Sequence, residues 1–144
     1  LYSLLGNMYS DTYRQPDFEK AAEVYRKARE LGAPALTARK EFYALARVPS
    51  KSREALKLGK ELFKDPRNRV PSLVTNIFVL ENRLHVPEKD RIPFRELYPT
   101  DEIARDMMTA HLANSLRYPV DGLRETLESL PEANPDDPAP DGKD

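Results

Sequence analysis

Asp17-Phe18-Glu19-Lys20-Ala21-Ala22-Glu23-Val24-Tyr25-Arg26-Lys27-Ala28-Arg29-Glu30-Leu31-Gly32-Ala33-Pro34 is the stretch on which the fold is decided. Phe18, Ala21, Ala22, Tyr25, Ala28 and Leu31 recur at the spacing that gathers side chains on one face of an α-helix. Glu23 and Lys27 form a favourable i,i+4 pair on another face. Both ends carry stop signals. The Asp17 carboxylate suits the unpaired N–H groups of a first turn, Gly32 supplies a left-handed C-cap, and Pro34 opens the next element.

The same punctuation extends in both directions. Upstream, Leu1, Leu4, Leu5, Met8 and Thr12, with Tyr2, Tyr9 and Tyr13 alongside, predict a helix that Pro16 stops. Downstream, Ala35, Ala38, Phe42 and Leu45 form the stripe of a helix over 35–48. Pro49 ends it, and Ser50 or Ser52 caps a successor to about Lys64 with Ala55, Leu58, Leu62 and Phe63 inward. Asp65-Pro66-Arg67-Asn68 is a turn. A fifth helix over 70–84 carries Val70, Leu73, Val74, Ile77 and Phe78. Pro87, Pro93 and Pro99 then mark 86–100 as an irregular segment pinned by Ile92, Phe94, Leu97 and Tyr98. Thr100 and Asp101 open a sixth helix to about Arg117, and Pro119 and Asp121 a short seventh with Val120, Leu123, Leu127 and Leu130 apolar. The expected class is therefore all-α with about seven helices.

Shifting the sequence on itself by about 34 residues superposes Tyr9 on Tyr43, Pro16 on Ser50, Ala21 on Ala55 and Ala28 on Leu62. A helical hairpin of that length cannot bury its own apolar face, so hairpins of about 1–32, 35–65, and 70–85 with 100–130 must stack. The motif Leu5-Gly6-x-x-Tyr9, then Asp17-x-x-Lys20-Ala21-x-x-x-Tyr25-x-Lys27-Ala28, then Gly32, resembles the SEL1-like repeat, the close relative of the TPR. It covers about 32 residues. In the next unit Arg39-Lys40 stand where Leu-Gly belongs and Gly59 where the second Tyr belongs, and from Lys89 onward the pattern is gone. The resemblance implies a right-handed α-solenoid and a non-catalytic scaffold or adaptor that binds another protein or peptide. The pentatricopeptide repeat, which binds single-stranded RNA, is the alternative, and Arg53, Lys57, Lys60 and Lys64 would suit it.

Charge weighs between the two. The chain of 144 residues has a formal charge of −1, which is not the balance of an ordinary basic nucleic-acid-binding domain. The tail 131–144, with four prolines, five acidic residues and one lysine, is expected to be extended or disordered. Taking it away leaves residues 1–130 at +3. No apolar run is long enough to span a bilayer, so no membrane insertion is expected. The opening Leu1-Tyr2-Ser3 reads as part of a longer protein.

Candidate chemistry is sparse. With no cysteine, neither disulfides nor thiolate ligands or nucleophiles are available, and the redox compartment is left open. His85 and His111 have no metal-ligand spacing. His111 shares the apolar stripe of its helix with Ala104, Met107 and Met108, and reads as a core or rim residue. His85 ends a helix, where an imidazolium complements the dipole. Leu58-Gly59-Lys60 lacks the upstream glycine and the following Ser/Thr of a phosphate loop, Gly-x-Ser-x-Gly is absent, and Asp136-Asp137 lie in the tail. No catalytic residue, metal or cofactor is expected. The repeat geometry implied by the resemblance lines the concave face with the first helix of each hairpin, which nominates Asn7, Arg39, Lys40, Asn76 and Arg83 as partner contacts. The cations among them would suit an acidic peptide or a carboxylate.

Overall fold

The computed structural model describes residues 2–7 and 17–131. The aromatic residues Tyr9 and Tyr13, the breaker Pro16 and the acidic tail from Glu132 onward lie outside the described residues. Among those described, the structure is all-helical with no strand. Its eight α-helices are α1 (Tyr2–Asn7), α2 (Phe18–Glu30), α3 (Ala35–Ala46), α4 (Ser52–Phe63), α5 (Pro71–Arg83), α6 (Phe94–Leu97), α7 (Asp101–Ala113) and α8 (Leu123–Ser129).

The signals at Asp17, Gly32 and Thr100 sit where the sequence places them, whereas α4 starts from Lys51 with no side-chain cap from Ser50 or Ser52. Lys20 N donates to the Asp17 carboxylate at 3.0 Å, and Ile103 N to the Thr100 hydroxyl at 3.1 Å. Each satisfies an N–H that the first turn leaves over. Gly32 has φ 88° and closes α2, with Ala33 N donating back to Ala28 O at 3.0 Å. Pro34 is the residue before α3, not a member of its first turn.

Two more boundaries differ from expectation. Helix α6 is a single turn inside the segment read as irregular, entered from Pro93, and it raises the helix count to eight. Helix α7 stops at Ala113, short of Arg117, because Arg117 N and Tyr118 N both turn back to Asn114 O at 2.8 and 3.2 Å.

Consecutive helices from α1 to α5 pack on one another, and α5 also packs on α3 and α7. Cross-links give the direction. Ser3 meets Thr37 (3.0 Å) and Lys40 donates to Asn7 (3.0 Å), so α1 and α3 run side by side in the same sense. Further along, Arg39 donates to Asn68 (2.9 Å) and Tyr43 meets Ser72 (2.7 Å), which sets α5 parallel to α3 in turn.

Glycine lets the helices of a pair close up. A Cβ on Gly6 would lie 2.6 Å from the Tyr25 ring, and one on Gly59 would lie 2.6 Å from the Phe42 ring and 3.1 Å from Ile77. Gly59, which breaks the repeat pattern in sequence, is thus the hollow into which α3 inserts Phe42. Helix α5 is the centre of the core, with Leu73, Ile77, Val79 and Leu80 fully buried.

The 86–100 segment is strapped to α5. Arg91 donates to Val86 O (2.7 Å), to the Asn82 side chain (2.7 Å) and to Glu81 O (3.2 Å). Phe78, Phe94 and Tyr98 form a triangle of rings with centroids 5.2–5.9 Å apart. Burial pushes the Tyr98 phenol well above its ordinary pKa, and its hydroxyl meets Thr75 at 2.9 Å.

Candidate functional site

Helix α3 presents two open faces. Residues two positions apart on an α-helix project about 200° from each other. Glu41 and Leu45 therefore face one side, and Tyr43 and Arg47 the other.

The first side floors a groove of about 650 Å³ between α2 and α4, with Ala22, Leu45 and Leu58 as its apolar surface. Glu41 is 3% exposed there and receives two hydrogen bonds from Arg29, from Nε at 2.6 Å and from Nη2 at 3.2 Å. The Glu41 hydrogen bond raises the Arg29 pKa against the opposing effect of burial.

The second side carries a smaller opening of about 130 Å³. Lys40, Tyr43, Ala44 and Arg47 of α3 line it, together with Tyr25 of α2 and with Arg117 and Tyr118 from the α7–α8 connection. The guanidinium of Arg47 lies 4.6 Å from the ring centroids of both Phe18 and Tyr118. Tyr118 in turn stacks on His111 at 5.2 Å and meets Tyr43 edge-on at 6.3 Å. Burial raises the Tyr43 pKa, against the Ser72 hydrogen bond and the nearby Arg39, so its phenol stays neutral.

The five nominated contact residues are not gathered in one place. Asn7 and Lys40 are together: Asn7 Oδ1 accepts from both Lys40 and the Tyr25 hydroxyl beside the small opening. Arg39 points instead to Asn68, near the start of α5. Arg83 sits at the other end of α5, 3.0 Å from Asp121. Asn76 is fully buried, with its amide donating to Ser72 O, so it offers no surface in this structure. Sequence reasoning missed Arg47, Arg117 and Tyr118. Arg47 reads as an ordinary helix-end cation, Arg117 as the last residue of the expected sixth helix, and Tyr118 as the link between that helix and the next.

His111 is 5% exposed, and its Nε2 lies 2.9 Å from Pro119 O. Burial lowers its pKa below the ordinary 6.5, outweighing the carbonyl contact, which raises it. The unfolded chain therefore takes up this proton first as pH falls. Stability is expected to be flat in this respect above about pH 6.5 and to decline below it, where the unfolded chain binds the proton and the folded imidazole does not. Melting temperature against pH checks this, and His111→Gln should flatten the decline that sets in below about pH 6.5. His85 is exposed, with φ 52° at the C-terminal turn of α5.

Among the described residues no group of three or more His, Asp or Glu side chains could hold a metal ion, and no helix is long and apolar enough to cross a membrane. Comparison with protein-family models, with curated proteins and with solved structures finds no match to this chain.

Proposed function

We propose that this chain is a non-catalytic protein-interaction module, a right-handed α-solenoid of SEL1- or TPR-like hairpins, whose first-helix face takes an acidic segment of another protein. The observation that carries the reading is the meeting of Lys40, Arg47 and Arg117 with three tyrosines around one small opening. Three cations favour a carboxylate-bearing ligand, and guanidinium groups can bind carboxylates through two parallel hydrogen bonds. Arg47 is already held between two rings, which reduces the side-chain ordering that binding would otherwise require. Tyrosines add apolar contact with a polar tip. The solenoid reading is supported by the common direction of α1, α3 and α5.

The pentatricopeptide-type RNA reading has less support. Of the cations on and just after α4 that would serve it, Lys60 lies 3.3 Å from Glu81 and Lys64 lies 3.0 Å from Glu61.

Fluorescence anisotropy with a labelled peptide of about ten residues, rich in Glu and Asp, tests the proposal against a basic peptide and an oligouridylate of similar length. The acidic peptide is expected to bind, and Arg117→Glu to weaken it about tenfold, the range of a lost charge-assisted hydrogen bond. Binding of the oligouridylate but not of the peptide would replace the reading by the RNA one.

A further inference from the structure

The groove between α2 and α4 lies on the opposite side of α3 from the acidic-segment site, and nothing above assigns it a ligand. We propose that it is a second docking surface, and that its occupant is an amphipathic α-helix of a partner protein with a cation on one flank and an anion on the other.

The length suits a helix. Its walls run from Glu19 to Arg29 on α2 and from Lys51, the residue before α4, to Glu61 on α4. Each wall rises about 15 Å, close to three helical turns. The floor is apolar at Ala22, Leu45 and Leu58, and takes an apolar stripe. The walls themselves select a helix over an extended strand. Both are α-helices whose backbone groups are used internally, so they have no row of N–H and C=O groups to offer a strand. A strand laid here would lose hydration along its backbone and gain little in return. A helix arrives with its backbone bonds already made.

The charges set the flanks. Arg29 is closed on Glu41 at the floor. Along the walls, Arg26 pairs with Glu30, Glu23 with Lys27, Lys51 with Glu54, and Glu61 with Lys64, each within its own helix or the turn leading into or out of it. Two charged residues of the groove remain without an ion pair among the described residues: Glu19 on the α2 wall and Lys57 on the α4 wall. They are exposed and opposite in sign, and they stand on opposite walls. A helix with one basic and one acidic flank answers both. A helix with like-charged flanks meets repulsion on one side.

The probes are designed peptides of about 18 residues that share one leucine–alanine stripe and differ only in their flanks: Lys/Glu, Lys/Lys or Glu/Glu. A fourth is the Lys/Glu peptide with a central proline to break its helix. Anisotropy titration of the whole chain is expected to rank the Lys/Glu peptide first by about threefold, the size of a rim ion pair. Lys57→Glu, which makes both walls acidic, should move the preference to Lys/Lys, and Glu19→Lys should move it to Glu/Glu. Both residues are exposed, and a melt of each variant confirms that it is folded before its binding is read. Arg117→Glu should change none of these affinities, which separates this surface from the acidic-segment site. The proposal is overturned if no helical peptide binds, if the proline-broken peptide binds as well as its parent, if the two reversals leave the ranking unmoved, or if Arg117→Glu weakens helix binding.

Discussion

Replacing Phe42 with alanine is expected to lower the unfolding free energy by about 3–5 kcal/mol, the range for removing a buried aromatic side chain. The ring has no solvent exposure, and it fills the space that Gly59 leaves on α4. Because the facing residue has no side chain, nothing on that side can swing in to close the cavity, which places the loss toward the upper part of the range. A domain of this size has only about 5–15 kcal/mol of stability in total, so α3 and α4 would hold together poorly. Denaturant titration with a shared m-value reads the change. Gly59→Val in the Phe42→Ala background should recover part of it. In the parent, Gly59→Val should be destabilising, because its Cβ would lie 2.6 Å from the ring. The opposite signs of the same change in the two backgrounds would place the two residues in one cavity. If Gly59→Val costs the same in both backgrounds, the packing described here is wrong.

The second large effect concerns the pair on the groove floor. Arg29→Ala leaves the Glu41 carboxylate, 3% exposed, without its two hydrogen bonds. An uncompensated buried charge costs about 3–5 kcal/mol, and the half-open position of Arg29 sets the lower end of that range. The double variant Arg29→Leu/Glu41→Leu should be more stable than Arg29→Ala, since replacing both partners with apolar side chains removes the unpaired charge altogether. Thermal and denaturant melts of the two variants check the order. A double variant that melts below the single one would show that Glu41 left alone carries no such penalty.

Helices and their ends were legible in the sequence because local chemistry decides them. Asp17, Gly32 and Thr100 mark boundaries by satisfying or releasing backbone groups within a few residues of themselves.

What escaped depends on residues far apart in the chain. In sequence, Val70, Leu73, Val74, Ile77 and Phe78 make one apolar face, with Asn76 on the open side. Helix α5 instead has neighbours on several sides and buries Asn76 along with the rest. Such a helix shows itself by how few charges it carries, and α5 has none between Pro71 and Leu80. The small opening was harder. Arg47 and Tyr118 are each unremarkable locally, and only the turn at Asn114 aims the second at the first.

The placement of Arg47 between the rings of Phe18 and Tyr118 has a thermodynamic consequence. An array in which each unit touches only its neighbours unravels piecemeal, from whichever end is weaker. Here a single guanidinium joins the start of α2 to the connection beyond α7, so unravelling that reaches either of these must break a contact shared with the other. The stretch from α2 to that connection is thereby biased toward melting in one transition.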